Sequence, residues 1–176
     1  MKVSVLTENL KKGVGVAIRG ISSRAQLPIL STILISAGKD GLTLSTTDLE
    51  LSFRVKVRAK VSEEGEIAVP GKLFFDLIAT LPAGTIEMRA EKEALVLSGD
   101  SVKVDIMGQQ ASEFPSLPVA SGKGLTMDIG EFGEKVERVG VAAARDESRP
   151  VLSGLLWALG GGVLTLVATD GYRLGV

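Results

Sequence analysis

The sequence predicts an α+β fold made of repeated βαβββ units, and three observations support this prediction. The 176-residue chain matches itself without a gap at an offset of 122 positions, which is the separation of Pro28 and Pro150. Some segments carry apolar residues at helical spacing, and others alternate apolar with polar residues as strands do. The combination of one helical segment with several short strands occurs three times along the chain. A repeat longer than a solenoid unit indicates duplicated domains.

The two copies share identical residues over their strands and turns, and apolar character over the preceding helix. The identical pairs are Leu30 and Leu152, Ser31 and Ser153, Gly38 and Gly160, Leu42-Thr43-Leu44 and Leu164-Thr165-Leu166, and Thr47-Asp48 and Thr169-Asp170. The second copy stops at Val176, short of where the first copy ends. We therefore expect one complete domain and part of a second, within a longer repeat protein.

The first unit is predicted to begin with a strand at Met1–Leu6 and a helix for which Thr7 is a suitable cap. The helix is indicated by an apolar stripe, namely Leu10, Val14, Ala17, Ile18 and Ile21. A polar connection, 22–27, leads to strands at Ile29–Ser36 and Leu42–Thr46. The next strand, Leu49–Val61, alternates apolar residues with the charged residues Glu50, Arg54, Lys56, Arg58 and Lys60.

The pattern then restarts with a strand at Glu66–Val69 and a helix entered at Pro70. Its apolar side is formed by Leu73, Phe74, Leu77, Ile78 and Leu81, and strands follow at Thr85–Ala90, Ala94–Leu97 and Ser101–Met107. We assign 1–118 to a first domain of two βαβββ units, 119–124 to a linker, and 125–176 to the first half of a truncated second domain. That half has a helix near Glu131–Ala144 and strands around Trp157 and Leu164.

Composition disfavours most enzyme mechanisms. The chain contains no cysteine and no histidine, so it lacks thiolate nucleophiles, disulfides and His-based triads. The triple glycine Gly160–Gly162 is not followed by lysine, and the carboxylates of Glu63, Glu64 and Glu66 have the pattern of a solvated turn. We predict no catalytic residues, no metal site and no cofactor. A net charge of −1 means that any contact with nucleic acid must be local.

The segment Pro150–Thr169 carries no charged residue and is long enough to imitate a membrane span. Its counterpart in the first copy contains Lys39-Asp40-Gly41 at the middle, where the second copy has the triple glycine. Both features favour a turn between two strands. We therefore predict a buried β-hairpin and no membrane partner. The absence of cysteine and of a signal peptide is typical of a cytoplasmic protein.

Four motifs, in order along the chain, resemble the bacterial sliding clamp family, the beta subunit of DNA polymerase III. Arg24–Leu30 (RAQLPIL) resembles the first-domain signature of this family, and Thr47–Glu50 (TDLE) resembles its strand–turn motif. Glu113–Pro118 (EFPSLP) is similar to its interdomain linker. Ala168–Leu174 (ATDGYRL) resembles its second-domain motif, although many members carry histidine at the position of Tyr172.

This resemblance implies the DNA-clamp fold, with antiparallel sheets outside and helices on the inner face. It implies a non-catalytic processivity factor of DNA replication. Intact members have three domains, and two subunits join head to tail into a homodimer ring that encircles double-stranded DNA and tethers the polymerase. This chain would supply the first domain and about half of the second and would lack the third, so no ring is expected from it alone. Its unfinished unit would expose a strand edge, which predicts marginal stability or self-association.

The resemblance also implies contacts with DNA phosphates. Arg24 lies in the loop that is similar to the family's DNA-facing segment. Lys12 and Arg19 lie on one helical face away from the apolar stripe, with Lys11 beside them. The alternative for these residues is a solvated helix face. In the second copy, where basic and acidic residues are balanced, Arg149 is the best candidate.

Finally, the resemblance implies a hydrophobic cleft in the second domain that binds short peptides of the polymerase III alpha subunit, the clamp loader and repair proteins. By motif match it is lined by Leu152, Thr169, Gly171, Tyr172, Arg173 and Leu174. The first copy has Leu49-Glu50-Leu51 in place of Gly171-Tyr172-Arg173, which favours a functional reason for the difference. The alternative is an ordinary tight turn. The competing function is a cytosolic α+β module that binds a peptide or metabolite and has no DNA role.

Overall fold

The computed structural model describes residues 1–21, 27–99, 102–118, 126, 129–146 and 148–176. The chain divides into a first unit, Met1–Val119, and a second unit, Ala120–Val176, and each is described by itself. The first unit contains both βαβββ repeats of the predicted first domain. The predicted linker, 119–124, and the candidate residue Arg24 lie outside the described residues.

The first unit contains two α-helices and nine strands in its described part. The helices are α1 (Thr7–Ala17) and α2 (Gly71–Thr80). The strands are β1 (Lys2–Leu6), β2 (Thr32–Gly38), β3 (Gly41–Thr47), β4 (Ser52–Val57), β5 (Ala59–Glu63), β6 (Gly65–Pro70), β7 (Thr85–Glu91), β8 (Ala94–Ser98) and β9 (Lys103–Met107). Short 3-10 helices lie at Ile18–Gly20, Pro28–Ser31 and Ala111–Glu113.

These strands form two antiparallel sheets, ordered β5-β1-β7-β8-β9 and β4-β3-β2-β6. The first strand of each βαβββ unit joins the sheet of the other unit, since β1 pairs with β7 and β6 pairs with β2. The first βαβββ unit thus contributes β1 and β5 to the sheet of the second, and the second contributes β6 to the sheet of the first. The antiparallel sheets with few helices confirm the predicted α+β fold class.

One hydrophobic core is shared by the two sheets and both helices. The apolar stripe of α1 is buried as predicted, with Leu10 and Val14 at most 1% exposed, and α2 contributes Phe74 and Ile78. Leu73, which the sequence placed on the same side, is 55% exposed. The helix is only ten residues long and buries a narrow face, so this residue at the edge of the predicted stripe stays in solvent.

The predicted strand Leu49–Val61 is wrong in its first part and divided in its second. Leu49 has a φ of 78° and lies in a turn, and the strand begins only at Ser52. At Arg58 the chain leaves one sheet and enters the other, because β4 pairs with β3 whereas β5 pairs with β1. The alternation of buried and exposed residues continues through this change of sheet, so periodicity alone could not reveal it.

Thr7 does not cap α1, contrary to the prediction. It is the first helical residue, follows the N-cap residue Leu6, and its Oγ1 donates a hydrogen bond of 3.1 Å to the carbonyl of Gly84. The buried hydroxyl thus ties the start of α1 to the loop after α2. The predicted helix entry at Pro70 is confirmed, since Pro70 ends β6 and is the N-cap residue of α2, which begins at Gly71.

The second unit contains one helix, α3 (Ile129–Gly140), and three strands in its described part. The strands are β10 (Leu156–Gly160), β11 (Val163–Thr169) and β12 (Leu174–Gly175), in that order in one sheet. A 3-10 helix lies at Pro150–Leu152. A core of Val139, Ala142, Leu166 and Ala168 joins α3 to β11.

The hairpin of the second unit confirms the predicted strand–turn–strand, but the prediction that it is buried is wrong. Every residue of β10 is exposed, because α3 packs on β11 and no described element buries β10. Gly161 and Gly162 form the two-residue connection with φ of 58° and 78°, the left-handed conformation that such a turn requires at both positions. The register repeats that of the first unit, since Leu34 pairs with Ser45 and Leu156 pairs with Val167. Within the described residues, no helix is long and apolar enough to cross a membrane.

Candidate functional site

The helix face of the first unit presents two of the predicted DNA contacts. Lys12 lies on α1 and Arg19 in the 3-10 helix that follows it, and both side chains are exposed. Among the described residues, neither has a carboxylate within 4.0 Å. Their charges are therefore available to an anionic partner.

Lys11 has a structural role that the sequence did not suggest. Its Nζ donates a hydrogen bond of 2.7 Å to the carbonyl of Leu81, at the end of α2. A cation at the carboxyl end of a helix satisfies a free carbonyl and interacts favourably with the helix dipole. Lys11 thus joins α1 to α2 and is not part of the free cationic pair.

Two further cations lie near Lys12 and were not predicted as site residues. A shallow groove of about 280 Å³ between α1 and β4 is lined by Lys12, Lys56 and Arg58 together with apolar side chains. Lys56 also approaches Asp40 at 3.8 Å, but both side chains are largely exposed. The alternation of β4 showed that Lys56 and Arg58 point away from the core. Only the packing of α1 on β4 brings them to Lys12.

The predicted peptide site of the second unit is centred on a turn after β11. The Oδ1 of Asp170 accepts hydrogen bonds from the backbone amides of Tyr172 and Arg173, at 2.9 and 3.0 Å. Thr169 Oγ1 accepts from the amide of Gly171 and donates to the carbonyl of Arg173. The turn is therefore fixed by the side chains of two adjacent residues.

Asp170 is held in its ionised form by these contacts. The backbone amides of Tyr172 and Arg173, followed by the guanidinium of Arg173, lower the pKa of Asp170 below its ordinary value of 3.8. The Arg173 Nε lies 2.8 Å from Asp170 Oδ2. This pair also fixes the direction of the Arg173 side chain.

The first unit forms the same turn with different residues. Asp48 Oδ1 accepts from the amides of Glu50 and Leu51, and Thr47 Oγ1 accepts from the amide of Leu49. The backbone amide of Leu51 is the main cause of the lowered pKa of Asp48. The Thr-Asp pair therefore specifies one turn in both copies.

The equivalent turn of the first copy shows a local structural reason for glycine at position 171. Gly171 has a φ of 91°, and its counterpart Leu49 adopts the same left-handed conformation with a φ of 78°. Glycine takes this conformation without strain, whereas leucine does not. Backbone geometry alone is therefore a sufficient reason for glycine here, whether or not a peptide contacts it. Arg173 keeps a distinct role, because its counterpart Leu51 cannot form the ion pair with the turn carboxylate.

The structure brings Arg149, predicted as a DNA contact, to the turn of the predicted peptide site. Its guanidinium nitrogen lies 3.7 Å from the position that a Cβ on Gly171 would occupy. The carbonyl of Arg149 accepts a hydrogen bond from the amide of Leu152, which is half-buried. Tyr172 is 99% exposed and Leu174 is 68% exposed. The turn thus presents apolar and cationic groups side by side.

Comparisons with known proteins identify the family of the chain. The family model for the N-terminal domain of the DNA polymerase III beta subunit matches residues 1–118, and the model for its central domain matches residues 126–176. The chain belongs to the DNA polymerase III beta subunit family. This membership agrees with the resemblance of the four motifs and gives no support to the alternative of a binding module unrelated to DNA.

Known beta subunits match the chain along its whole length. The beta sliding clamp of Streptomyces coelicolor is 34% identical over 177 residues, covering 100% of this chain and 47% of the relative. The crystal structure of the DNA polymerase III beta subunit from Thermotoga maritima is 35% identical with a TM-score of 0.86, covering 98% of this chain and 48% of that one.

The sliding clamp of Pseudomonas aeruginosa bound to griselimycin is 31% identical with a TM-score of 0.84, covering 99% of this chain and 48% of that one. The chain spans about half the length of the curated relatives it matches.

Among the described residues of this beta subunit family member, no cluster of acidic side chains could hold a metal ion.

Proposed function

We propose that this chain is part of a replication sliding clamp, which encircles duplex DNA and holds the replicative polymerase on its template. The observation that carries the proposal is the order of two family domains, N-terminal over 1–118 and central over 126–176. Both contain the same α+β scaffold, and such units join edge to edge until a closed ring ends the series. The three-domain subunit and the head-to-tail homodimer belong to this proposal.

In this function, the DNA backbone is contacted by Lys12 and Arg19 of the first helix region, by Arg24, and by Arg149, which precedes the 3-10 helix Pro150–Leu152. The exposure of Lys12 and Arg19 and their lack of a carboxylate partner among the described residues support this assignment. Contacts with phosphate carry no sequence information and weaken steeply with salt. Few and dispersed contacts suit a protein that remains on DNA by topology while it moves along the duplex.

The turn after β11 would dock short peptides of the polymerase alpha subunit and the clamp loader. The residues assigned to this site are Leu152, Thr169, Gly171, Tyr172, Arg173 and Leu174. The exposure of Tyr172 and Leu174 supports this assignment, and so does the turn that Thr169 and Asp170 fix. A preformed turn lowers the entropy cost of binding, since less of the site must be ordered by the peptide.

The proposed clamp performs no chemistry itself and acts in the cytoplasm, where replication takes place in bacteria. Its contribution is mechanical, because a ring around the duplex cannot dissociate by diffusion. The peptide site then converts this topological link into a tether for the polymerase. The absence of histidine and cysteine from the chain supports a role without catalytic residues.

Loading onto DNA tests the first part of this proposal. In the proposed full-length clamp, charge reversal at both Lys12 and Arg24 should reduce loading onto nicked circular DNA, because two phosphate contacts become repulsive. The same reversal at Lys39, in the turn between β2 and β3, is the control and should have little effect. Unchanged loading by the Lys12→Glu/Arg24→Glu variant would refute the DNA-facing assignment.

Peptide binding tests the second part. A labelled carboxyl-terminal peptide of the polymerase alpha subunit should bind the wild type more tightly than the Arg173→Ala variant, measured by fluorescence anisotropy. The loss is expected because the variant removes both the guanidinium and its pairing with Asp170. Equal binding to both proteins would exclude Arg173 from the site.

A further inference from the structure

The matching helix segments of the two units differ in net charge, and the charge is reversed at the position of Lys12. The offset of 122 aligns α1 with α3, Lys12 with Glu134, and Arg19 with Val141. Residues 7–19 contain three basic residues and one acidic residue, whereas residues 129–141 contain two basic and three acidic residues. The net charge therefore changes from +2 on the first segment to −1 on the second.

The cations of α3 are already compensated within the helix. Lys135 Nζ lies 2.8 Å from Glu131 Oε2, and Arg138 pairs with Glu134 at 2.5 Å, both at the i,i+4 spacing. Lys135 lowers the pKa of Glu131 through this hydrogen bond. Glu137 has no basic partner within 4.0 Å among the described residues. To a phosphate, the exposed side of α3 is therefore neutral or repulsive.

The face of α1 has the opposite character. Lys11 is engaged by the Leu81 carbonyl, but Lys12 and Arg19 are exposed without a carboxylate partner among the described residues. Lys56 and Arg58 line the same groove as Lys12 and add to the positive potential there. At physiological ionic strength such charges act over a Debye length of about 8 Å, so neighbouring cations reinforce one another.

We propose that the first unit holds the DNA backbone through Lys12 and Arg19, and that the α3 face of the second unit does not bind phosphate. This inference rests on the proposed function. It goes beyond that function because two domains built on one scaffold would be expected to contact the duplex equally, whereas here the contact is assigned to one of them. The contact is unequal because Glu134 occupies the position of Lys12 on the repeated helix. The partner is the phosphate backbone of duplex DNA, without sequence preference.

A pair of matched substitutions tests the inference on the 176-residue chain. Lys12→Gln and Lys135→Gln each remove one lysine from an exposed position of the corresponding helix, so they change the net charge equally. Binding of a fluorescent DNA duplex is measured by anisotropy between about 50 and 200 mM salt. One phosphate contact contributes a slope of about 0.9 in log K against log salt, which is roughly a 3- to 4-fold change over this range.

We expect Lys12→Gln to weaken binding about 3-fold or more at low salt and to reduce the slope by about one contact. Lys135→Gln should leave the slope unchanged. Glu134→Lys, which gives α3 the residue of α1, should strengthen binding by a similar factor and raise the slope. A gain in affinity cannot result from unfolding, so this variant separates a charge effect from a loss of structure.

Three results would overturn the inference and are distinguishable. If the wild type binds the duplex but Lys12→Gln and Lys135→Gln weaken it equally, DNA contact stands and the unequal division between the units is wrong. If the wild type does not bind the duplex even at low salt, Lys12 and Arg19 do not hold the DNA backbone and the inference fails, whereas a ring that stays on DNA by topology does not depend on this result. An unchanged affinity of Glu134→Lys would also contradict a repulsive α3 face.

Discussion

Gly13 of α1 provides a direct test of how closely this helix packs on the sheet. A Cβ at this position would overlap Cγ2 of Val57 and would lie 3.4 Å from Cδ1 of Leu44. Both neighbours are at most 5% exposed. Valine is stiff at χ1, and a packed core leaves no space into which its methyl group could turn. Gly13→Ala should therefore destabilise the first unit, although alanine is the better helix former.

The same helix contains a matched control at Gly15. No atom lies within 4 Å of the Cβ position there, so Gly15→Ala should stabilise the helix by about 1 kcal/mol through propensity alone. At Gly13 this gain is opposed by overpacking, which costs about 1 to 3 kcal/mol. The expected net change for Gly13→Ala is a loss of roughly 1 kcal/mol. The difference between the two variants isolates the packing cost.

Urea unfolding followed by far-ultraviolet circular dichroism measures both effects. Trp157 is the only tryptophan of the chain and belongs to the second unit, so its fluorescence separately reports the unfolding of that unit. Gly13→Ala should lower the midpoint of the dichroism transition, and Gly15→Ala should raise it. If both variants raise the midpoint equally, the close contact between α1 and Val57 is wrong.

Three further outcomes follow from the described contacts. Lys11→Gln removes the hydrogen bond from the ammonium to the Leu81 carbonyl and should lower the free energy of unfolding by about 1 kcal/mol in urea titration, while leaving duplex binding unchanged. Gly171→Leu places a branched side chain at a φ of 91° and should destabilise the second unit by about 1 kcal/mol. Thermal unfolding followed by Trp157 fluorescence measures this loss, and unchanged stability would show that the turn relaxes. Because folding lowers the pKa of Asp170 below 3.8, its stabilisation of the turn should be complete above that pH and lost as the pH falls through the lower folded value. Amide shifts of its two backbone donors, followed by NMR in an acid titration, should change only in this acidic range, and a transition near neutral pH would contradict the assignment.

Much of the fold could be predicted because it follows from local patterns. The stripe of α1 and the triple glycine of the second hairpin act within a few residues, and the structure confirms both. The gapless repeat also predicted equivalent turns, since Thr47-Asp48 and Thr169-Asp170 form the same hydrogen bonds. These features depend on backbone geometry and side chains close in sequence, so they can be read without the tertiary structure.

The candidate sites could be predicted less completely, because they depend on which distant residues meet. Lys11 and Lys12 are adjacent and chemically identical, yet Lys11 donates a hydrogen bond to Leu81 whereas Lys12 has no carboxylate partner in the described part of the chain. Lys56 and Arg58 belong to the Lys12 groove only because α1 packs on β4. Arg149 comes close to Gly171 through the folding of the second unit.

The sequence by itself determined the repeat, the α+β class, the family motifs and the residue types available for phosphate and peptide contacts. Only the tertiary structure decided that the strand after Ser52 changes sheets, that Gly171 relieves backbone strain, and which cations are free. The physical reason is the range of the interactions. Periodicity and turn preference act between neighbours in sequence, whereas strand exchange and charge pairing depend on contacts between residues brought together by the fold.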